Sequence, residues 1–317
     1  MTSKENSIEA FAPGDILVGA TVLNSETDDH AGEGRIIQYD AALKEKGVLW
    51  TEGTTHLVGG LRFGPDSTLW AFDSQGHKVL RIDTEGRQMP EIKYADRAFS
   101  NINFTPDGNI LLGEHLVGDT VKLPPGRPLG TELPKLPDSD RFGDGHVFKF
   151  TPEGELLHEY ATKTHGGMAS FLGVTSATLA PDNKTLVYVS EISPWVCRYD
   201  LEIDEQLPDL PALEADSGDL AVNVAYQADG TLLFIKANFQ EGFFLQLLDD
   251  KGSAIKTHKL EGSGWAALCP TDDNDIVLIG NFFTGQLIKF NTETGETLAS
   301  TDINVQRSLA GIAQYTG

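Results

Sequence analysis

The sequence predicts an all-β fold, a single-domain six-bladed β-propeller, on three observations. A phrase of short apolar runs separated by Gly, Pro, Asp and Asn turns recurs about every 45 residues, the length of four antiparallel strands and their connections. The 317-residue chain carries 33 glycines and 15 prolines throughout, so turns are frequent and long helices unfavourable. Its two ends also complement each other. The first repeat lacks an inner strand, and 308–317 has that strand's pattern with nothing following it. A C-terminal strand that completes the first blade closes the ring and leaves no open sheet edge at the join.

In order, residues 1–12 are polar and form an arm, and 13–317 form the propeller. GDILVGATVL (14–23), RIIQYD (35–40) and GVLWTEG (47–53) are the strands of the first repeat. Residues 61–94 make a four-strand unit with turns at Pro65-Asp66, Gln75-Gly76 and Glu85-Gly86. INFTPDGNILLGEH (102–115) and GHVFKFTPEGELLHEY (145–160) make the third, split by the insertion 117–144, which is placed as a lid. Residues 175–213 are the fourth. VAYQADGTLLFIKAN (224–238) opens the fifth, and 269–300 supply the sixth. In the fourth, Val187, Tyr188 and Val189 are β-branched or aromatic residues in a short run bounded by turn formers, which favours a buried strand over a helix.

The balance of 47 Asp and Glu against 24 Lys and Arg gives a net charge of −23. That excess opposes binding to phosphate backbones and anionic membranes. Cys197 and Cys269 stand in apolar strand contexts in different repeats and read as buried thiols, not a disulfide framework. The N-terminus lacks a signal-peptide pattern, and no apolar run is long enough to span a bilayer. The expectation is a cytoplasmic protein with a small-molecule partner, without nucleic acid or membrane.

Strand alternation places the between-blade connections and the second-to-third-strand connections on one face. Six of the eight histidines fall there: His30, His56, His77, His115, His146 and His165. His56, His115 and His165 adjoin inner or second strands, so neutral imidazoles converging from separate blades suit a divalent metal (Zn, Ca or Mg) and an activated water. A second pattern is a polar residue where each second strand ends: Thr21, Asp73, Glu114, Glu191, Lys236 and Asn281, with Asn238 nearby. Carboxylates gathered in a partly dry funnel raise one another's pKa, which suits Glu114 or Glu191 to proton transfer, with His165 beside them as a catalytic candidate. Trp195, Trp265, Phe282, Phe283 and Phe171 supply an apolar wall. With Asp73, Lys236, Asn238 and Asn281, the residues Trp195, Trp265 and Phe282 form the expected substrate-binding set. The same polar groups could simply meet water at strand ends, and the same aromatics could be core. No Gly-rich phosphate loop, Gly-x-Ser-x-Gly elbow, HExxH or CxxC is present.

The phrase APDNKTLVYVSEISPWVCRYDLE (180–202) resembles the blade of the gluconolactonase/senescence-marker-protein and strictosidine-synthase-like six-bladed propellers. The blades at 61–85 and 145–156 (with HVFKFTPEGEL) also resemble NHL-type repeats. The resemblance implies the fold over most of the chain and an enzyme of small organic molecules. Where the metal-dependent lactonase branch has Asn-Gly this chain has Thr175-Ser176, and where it has Asp-Gly this chain has Val222-Asn223. The expected function is therefore a hydrolase or lyase at the channel mouth. The alternative is a non-catalytic ligand-binding or protein-interaction scaffold.

Overall fold

Every recurring phrase becomes one antiparallel sheet, and the fold is a six-bladed β-propeller. The computed structural model describes residues 4–26, 28, 30–115, 145–163, 173–191, 193–214 and 217–317, and none of these is helical. The chain divides into two compact units of three blades, Met1–Ile92 with Ser263–Gly317 and Lys93–Gly262. The expected insertion at 117–144 and the candidates His165 and Phe171 lie outside the described residues.

The first unit holds blades 6, 1 and 2. Blade 1 is β1 (Ile16–Leu23), β2 (Gly32–Tyr39), β3 (Glu45–Trp50) and the C-terminal strand β23 (Gly311–Gln314), which pairs antiparallel with β1 from Ile16↔Gln314 to Gly19↔Gly311. The expected ring closure is this pairing. Blade 2 is β4 (Val58–Phe63), β5 (Leu69–Asp73) and β6 (Lys78–Ile82), and its fourth strand is reduced to the bridge Ile82↔Gln88. The shortening follows from Pro90, which has no N–H for a ladder. Met89 N still bonds Arg81 O (2.7 Å), and the Arg81 guanidinium takes the Pro90 carbonyl (2.8 Å). Blade 6 is β19 (Trp265–Pro270), β20 (Ile276–Asn281), β21 (Gln286–Asn291) and β22 (Thr297–Asp302).

Residues of the N-terminal arm lie along the first unit. Ser7 N and Ile8 N both bond Val48 O on β3, and Phe11 is buried with its ring 5.6 Å from Phe63 and 5.8 Å from Tyr315. The arm thus occupies an outer sheet edge that would otherwise present unpaired backbone groups.

The second unit holds blades 3, 4 and 5. Blade 3 is β7 (Phe99–Phe104), β8 (Ile110–Glu114), β9 (Val147–Phe150) and β10 (Leu156–Tyr160). Blade 4 is β11 (Ser176–Leu179), β12 (Thr185–Val189), β13 (Val196–Asp200) and β14 (Glu205–Leu210). Blade 5 is β15 (Asp219–Tyr226), β16 (Leu232–Asn238), β17 (Gly242–Leu248) and β18 (Ala254–Leu260).

The period-2 geometry of a strand explains the apolar runs. On β1, Ile16, Val18 and Ala20 enter the core shared with blade 6, while Leu17 enters the core shared with blade 2. On β12, Leu186 and Tyr188 pack toward blade 3, and Val187 and Val189 toward blade 5. Each such side chain contributes about 1.5–3 kcal/mol by burial. Turns repeat as faithfully: the glycine N–H of the Thr105–Gly108, Thr151–Gly154 and Gln227–Gly230 turns bonds the carbonyl three residues back at 3.0 Å. These glycines have φ of 81°, 98° and 88°, which a side-chain-bearing residue adopts only with strain.

Candidate active site

The polar residues at the second-strand ends turn out to share one structural task. Asp73, fully buried, accepts Gly76 N (2.8 Å) ahead of it and Thr55 N (2.7 Å) and His56 N (3.1 Å) from the connection before its own blade. Asn281 accepts Phe283 N and Thr284 N (both 3.1 Å) and donates back to Ser263 O (2.8 Å). Asn238 accepts Gln240 N (2.9 Å) and Glu241 N (3.1 Å) and donates back to Ser217 O (3.2 Å). Glu114, also fully buried, accepts Gly145 N (2.9 Å) ahead and pairs with Arg97 behind (3.2 Å). In each case one side chain ties a blade's own turn to the preceding connection. Buried backbone donors need acceptors, and these residues supply them. The expected substrate-binding residues Asp73, Asn238 and Asn281 and the expected proton donor Glu114 are placed as staples.

In the first unit, Thr21 extends this pattern. Its Oγ1 donates to His56 O (3.2 Å) and accepts Val58 N (3.1 Å), and its own N–H is taken by Ser308 Oγ (2.6 Å). Gly32 N bonds Thr55 O at 2.9 Å. All four backbone polar groups of Thr55 and His56 are therefore engaged. His56 Nδ1 lies 2.8 Å from Thr55 Oγ1, and His56 Nε2 lies 3.3 Å from Asp28 Oδ2. Asp28 Oδ1 accepts His30 N (3.0 Å), and the His30 ring stacks on Phe282 with centroids 6.2 Å apart. Phe282 meets half-exposed Phe283 edge-on at 5.7 Å. Trp265 is buried in β19 and is core.

In the second unit, Lys236 Nζ bonds Asp219 Oδ2 (2.8 Å) and sits 5.1 Å from the Phe244 ring centroid. Burial pushes the Asp219 carboxyl up, but bonds from Lys236 and Asn238 outweigh it and hold the group below the ordinary aspartate range. Trp195 packs against the core between blades 3 and 4, with Lys163 Nζ 5.3 Å from its ring. Glu191 differs from the other strand-end residues. It is half-buried, and desolvation raises its pKa above the ordinary glutamate value. The surrounding protein weakens hydration of the charged form. Among the described carboxylates with a shifted pKa, Glu191 alone moves upward; the others, such as Asp83, Asp182 and Asp204, are held low by hydrogen bonds. Its loop is fixed from both sides: Ser193 N bonds Ser190 O (2.9 Å), and Ala221 N of β15 bonds Ser193 O (2.7 Å).

Of the expected three-histidine set, His56 lies in the first unit with both ring nitrogens facing protein partners, His115 lies in the second, and His165 lies outside the described residues. No group of three or more His, Cys, Asp or Glu suited to a metal occurs among the described residues, and no step below passes through one. Cys197 and Cys269 are buried free thiols, and burial pushes them up to about 12 and about 11. Sequence reasoning did not single out Asp28, Thr55 or Arg97, and it noted Asp219 only as a displaced neighbour of the Val222-Asn223 pair. The adjacent Thr55-His56 pair was the one signal for the first two. Nothing local marked Arg97, whose partner Glu114 is 17 residues away.

No helix among the described residues is long and apolar enough to cross a membrane. No protein-family model and no curated protein matches the sequence. Solved structures do match in fold. A chain of a nidogen/laminin complex superposes with a TM-score of 0.66 at 12% identity, covering 95% of this chain and 98% of that one. A protein of unknown function from Bacteroides caccae gives 0.62 at 14%, covering 96% and 100%. A streptogramin B lyase gives 0.57 at 13%, covering 98% and 90%. Identities this low establish a shared propeller fold, and fold alone does not assign an activity.

Proposed function

We propose that this chain is an enzyme of a small organic molecule, acting by hydrolysis or elimination, with Glu191 as the group that moves the proton. The observation that carries this reading is the Glu191 carboxyl itself: desolvated, raised in pKa, and set in a half-buried residue on a loop whose Ser193 pairs with Ala221 of β15. General acid–base groups work best with a pKa near the working pH, and desolvation moves a glutamate toward that range. Trp195, four residues on, offers an apolar surface beside the loop. Lys236, already paired with Asp219, orients a polar substituent more readily than it exchanges a proton. The lyases among the fold neighbours are compatible with such chemistry on this scaffold. In the test, the wild-type protein and Glu191→Gln are incubated with quinupristin and a panel of simple lactones, and products are followed by mass. The expected result is turnover by wild type and a loss of 10²–10⁴-fold in the variant, with an unchanged or higher melting temperature. Equal turnover by both proteins would remove Glu191 from the reaction.

A second reading, a protein-interaction propeller, is favoured by Phe239. This side chain is 81% exposed beside the rigid Asn238 turn. Exposed aromatics on rigid loops are typical anchors of protein partners. Under this reading no member of the panel turns over, and Phe239→Ala weakens capture of the partner.

A further inference from the structure

We infer that the first unit carries a nucleophilic centre of its own, a relay of Asp28, His56 and Thr55 suited to acyl transfer from uncharged esters with an apolar group. The geometry has the two side-chain contacts of such a relay. Thr55 Oγ1 lies 2.8 Å from His56 Nδ1, within reach for direct proton transfer, and Asp28 Oδ2 lies 3.3 Å from His56 Nε2. The carboxylate favours the proton on Nε2, which leaves the Nδ1 lone pair facing the hydroxyl. Thr55 is solvent-exposed, while His56 and Asp28 are partly buried, so the hydroxyl is open to substrate and its base is sheltered. Preorganisation comes from the backbone. Asp73 holds both N–H groups of the pair, and Gly32 and Thr21 hold the two carbonyls. A relay fixed this way loses little entropy on reaching the reactive arrangement.

The aromatic surface beside it sets the substrate class. Asp28 Oδ1 takes the His30 N–H, and His30 stacks on Phe282, which meets Phe283. That wall accepts an apolar acyl or aryl group. A net charge of −23 disfavours anionic esters.

In the reaction, Thr55 Oγ1 bonds to the ester carbonyl carbon as its proton passes to His56 Nδ1. The carbon–oxygen bond to the leaving group then breaks, and the departing alkoxide takes that proton as an alcohol. Water next attacks the acyl-Thr55 ester through the same base, releasing a carboxylic acid and restoring the hydroxyl. No redox partner is needed. This centre is independent of the Glu191 reading, and its test reads a different event.

The test treats the intact protein with an alkyl fluorophosphonate and maps the adduct by peptide mass. Hydrolysis of p-nitrophenyl acetate is followed in parallel. Expected are a single adduct on Thr55, loss of adduct in Thr55→Ala, and retention in Thr55→Ser. His56→Gly should lower the labelling rate 10²–10⁴-fold, with recovery on adding imidazole, which a structural defect would not show. Asp28 acts through His56 as a positioning residue, so Asp28→Asn should slow labelling about tenfold and Asp28→Glu should regain part of it. An unlabelled Thr55 in folded wild-type protein, or equal labelling in His56→Gly without imidazole, would overturn the inference. Glu191 failing its own turnover test would leave this result unaffected.

Discussion

Blade 2 ends its second strand on Asp73, blade 4 carries Glu191 two residues past the end of its second strand at Val189, and the two carboxylates have opposite fates. Asp73 receives three backbone N–H groups and is fully buried. Glu191 is half-buried, and its pKa is shifted by lost hydration. The charge of Asp73 is met by the donors of its own turn and of the Thr55–His56 connection. In blade 4, the connection ahead of β11 includes 164–172, outside the described residues, and among the described ones no donor offsets the desolvation of Glu191. Asp73 is therefore a structural staple because backbone donors converge on it, whereas Glu191, just past its strand, is shifted by desolvation. A polar residue at a strand end is not evidence of chemistry until its partners are counted.

The largest effect that can break this contrast is loss of the Asp73 staple. Asp73→Ala leaves three backbone donors without their acceptor, which should cost about 3–5 kcal/mol in urea unfolding. Gly76→Ala works on the same bond from the other side, because a Cβ there would collide with the Asp73 carboxylate, and should cost about 1–3 kcal/mol. The uncharged staples are weaker. Asn281→Ala and Asn238→Ala each lose neutral hydrogen bonds and should cost about 1–2 kcal/mol. If Asp73→Ala were as mild as a surface substitution, the staple account of the whole series would fail.

Much of the fold was legible because its causes are local. The turn glycines, the apolar run of β12 and the missing strand of blade 1 are all visible within a few residues of sequence. The loops were harder, because their bonds join residues far apart in the chain. Thr21 with Ser308, Glu114 with Arg97 and Asp73 with Thr55 are each set by how sheets neighbour one another. A repeated polar position looked like a ring of site residues because one stapling solution recurs blade after blade. His56 was marked by its adjacency to strands, but its partners depend on a turn of blade 1 that no motif announces. The short fourth strand of blade 2 was legible in principle, through Pro90, and needed only the rule that a ladder requires an N–H.

The smallest effect sharpens the contrast most, because its sign is fixed. A carboxyl with a raised folded pKa binds more protons when folded than unfolded between its ordinary and raised values. Its contribution to stability is fully present below the ordinary glutamate range, near 4.5, and is lost as pH rises through the raised value. Glu191→Gln removes that dependence. The variant should match wild type at low pH and become the more stable protein above the window, by no more than about 1 kcal/mol in paired thermal melts. Asp219 has the opposite sign: its lowered pKa gives stability that is present above the ordinary aspartate range and lost as pH falls through the lower value. Paired melts of Glu191→Gln and Asp219→Asn across pH should therefore diverge from wild type in opposite directions at neutral pH. If Glu191→Gln instead lowered stability there, the carboxylate would be held by a cation or donor as Asp73 is, and blade 4 would be stapled like its neighbours.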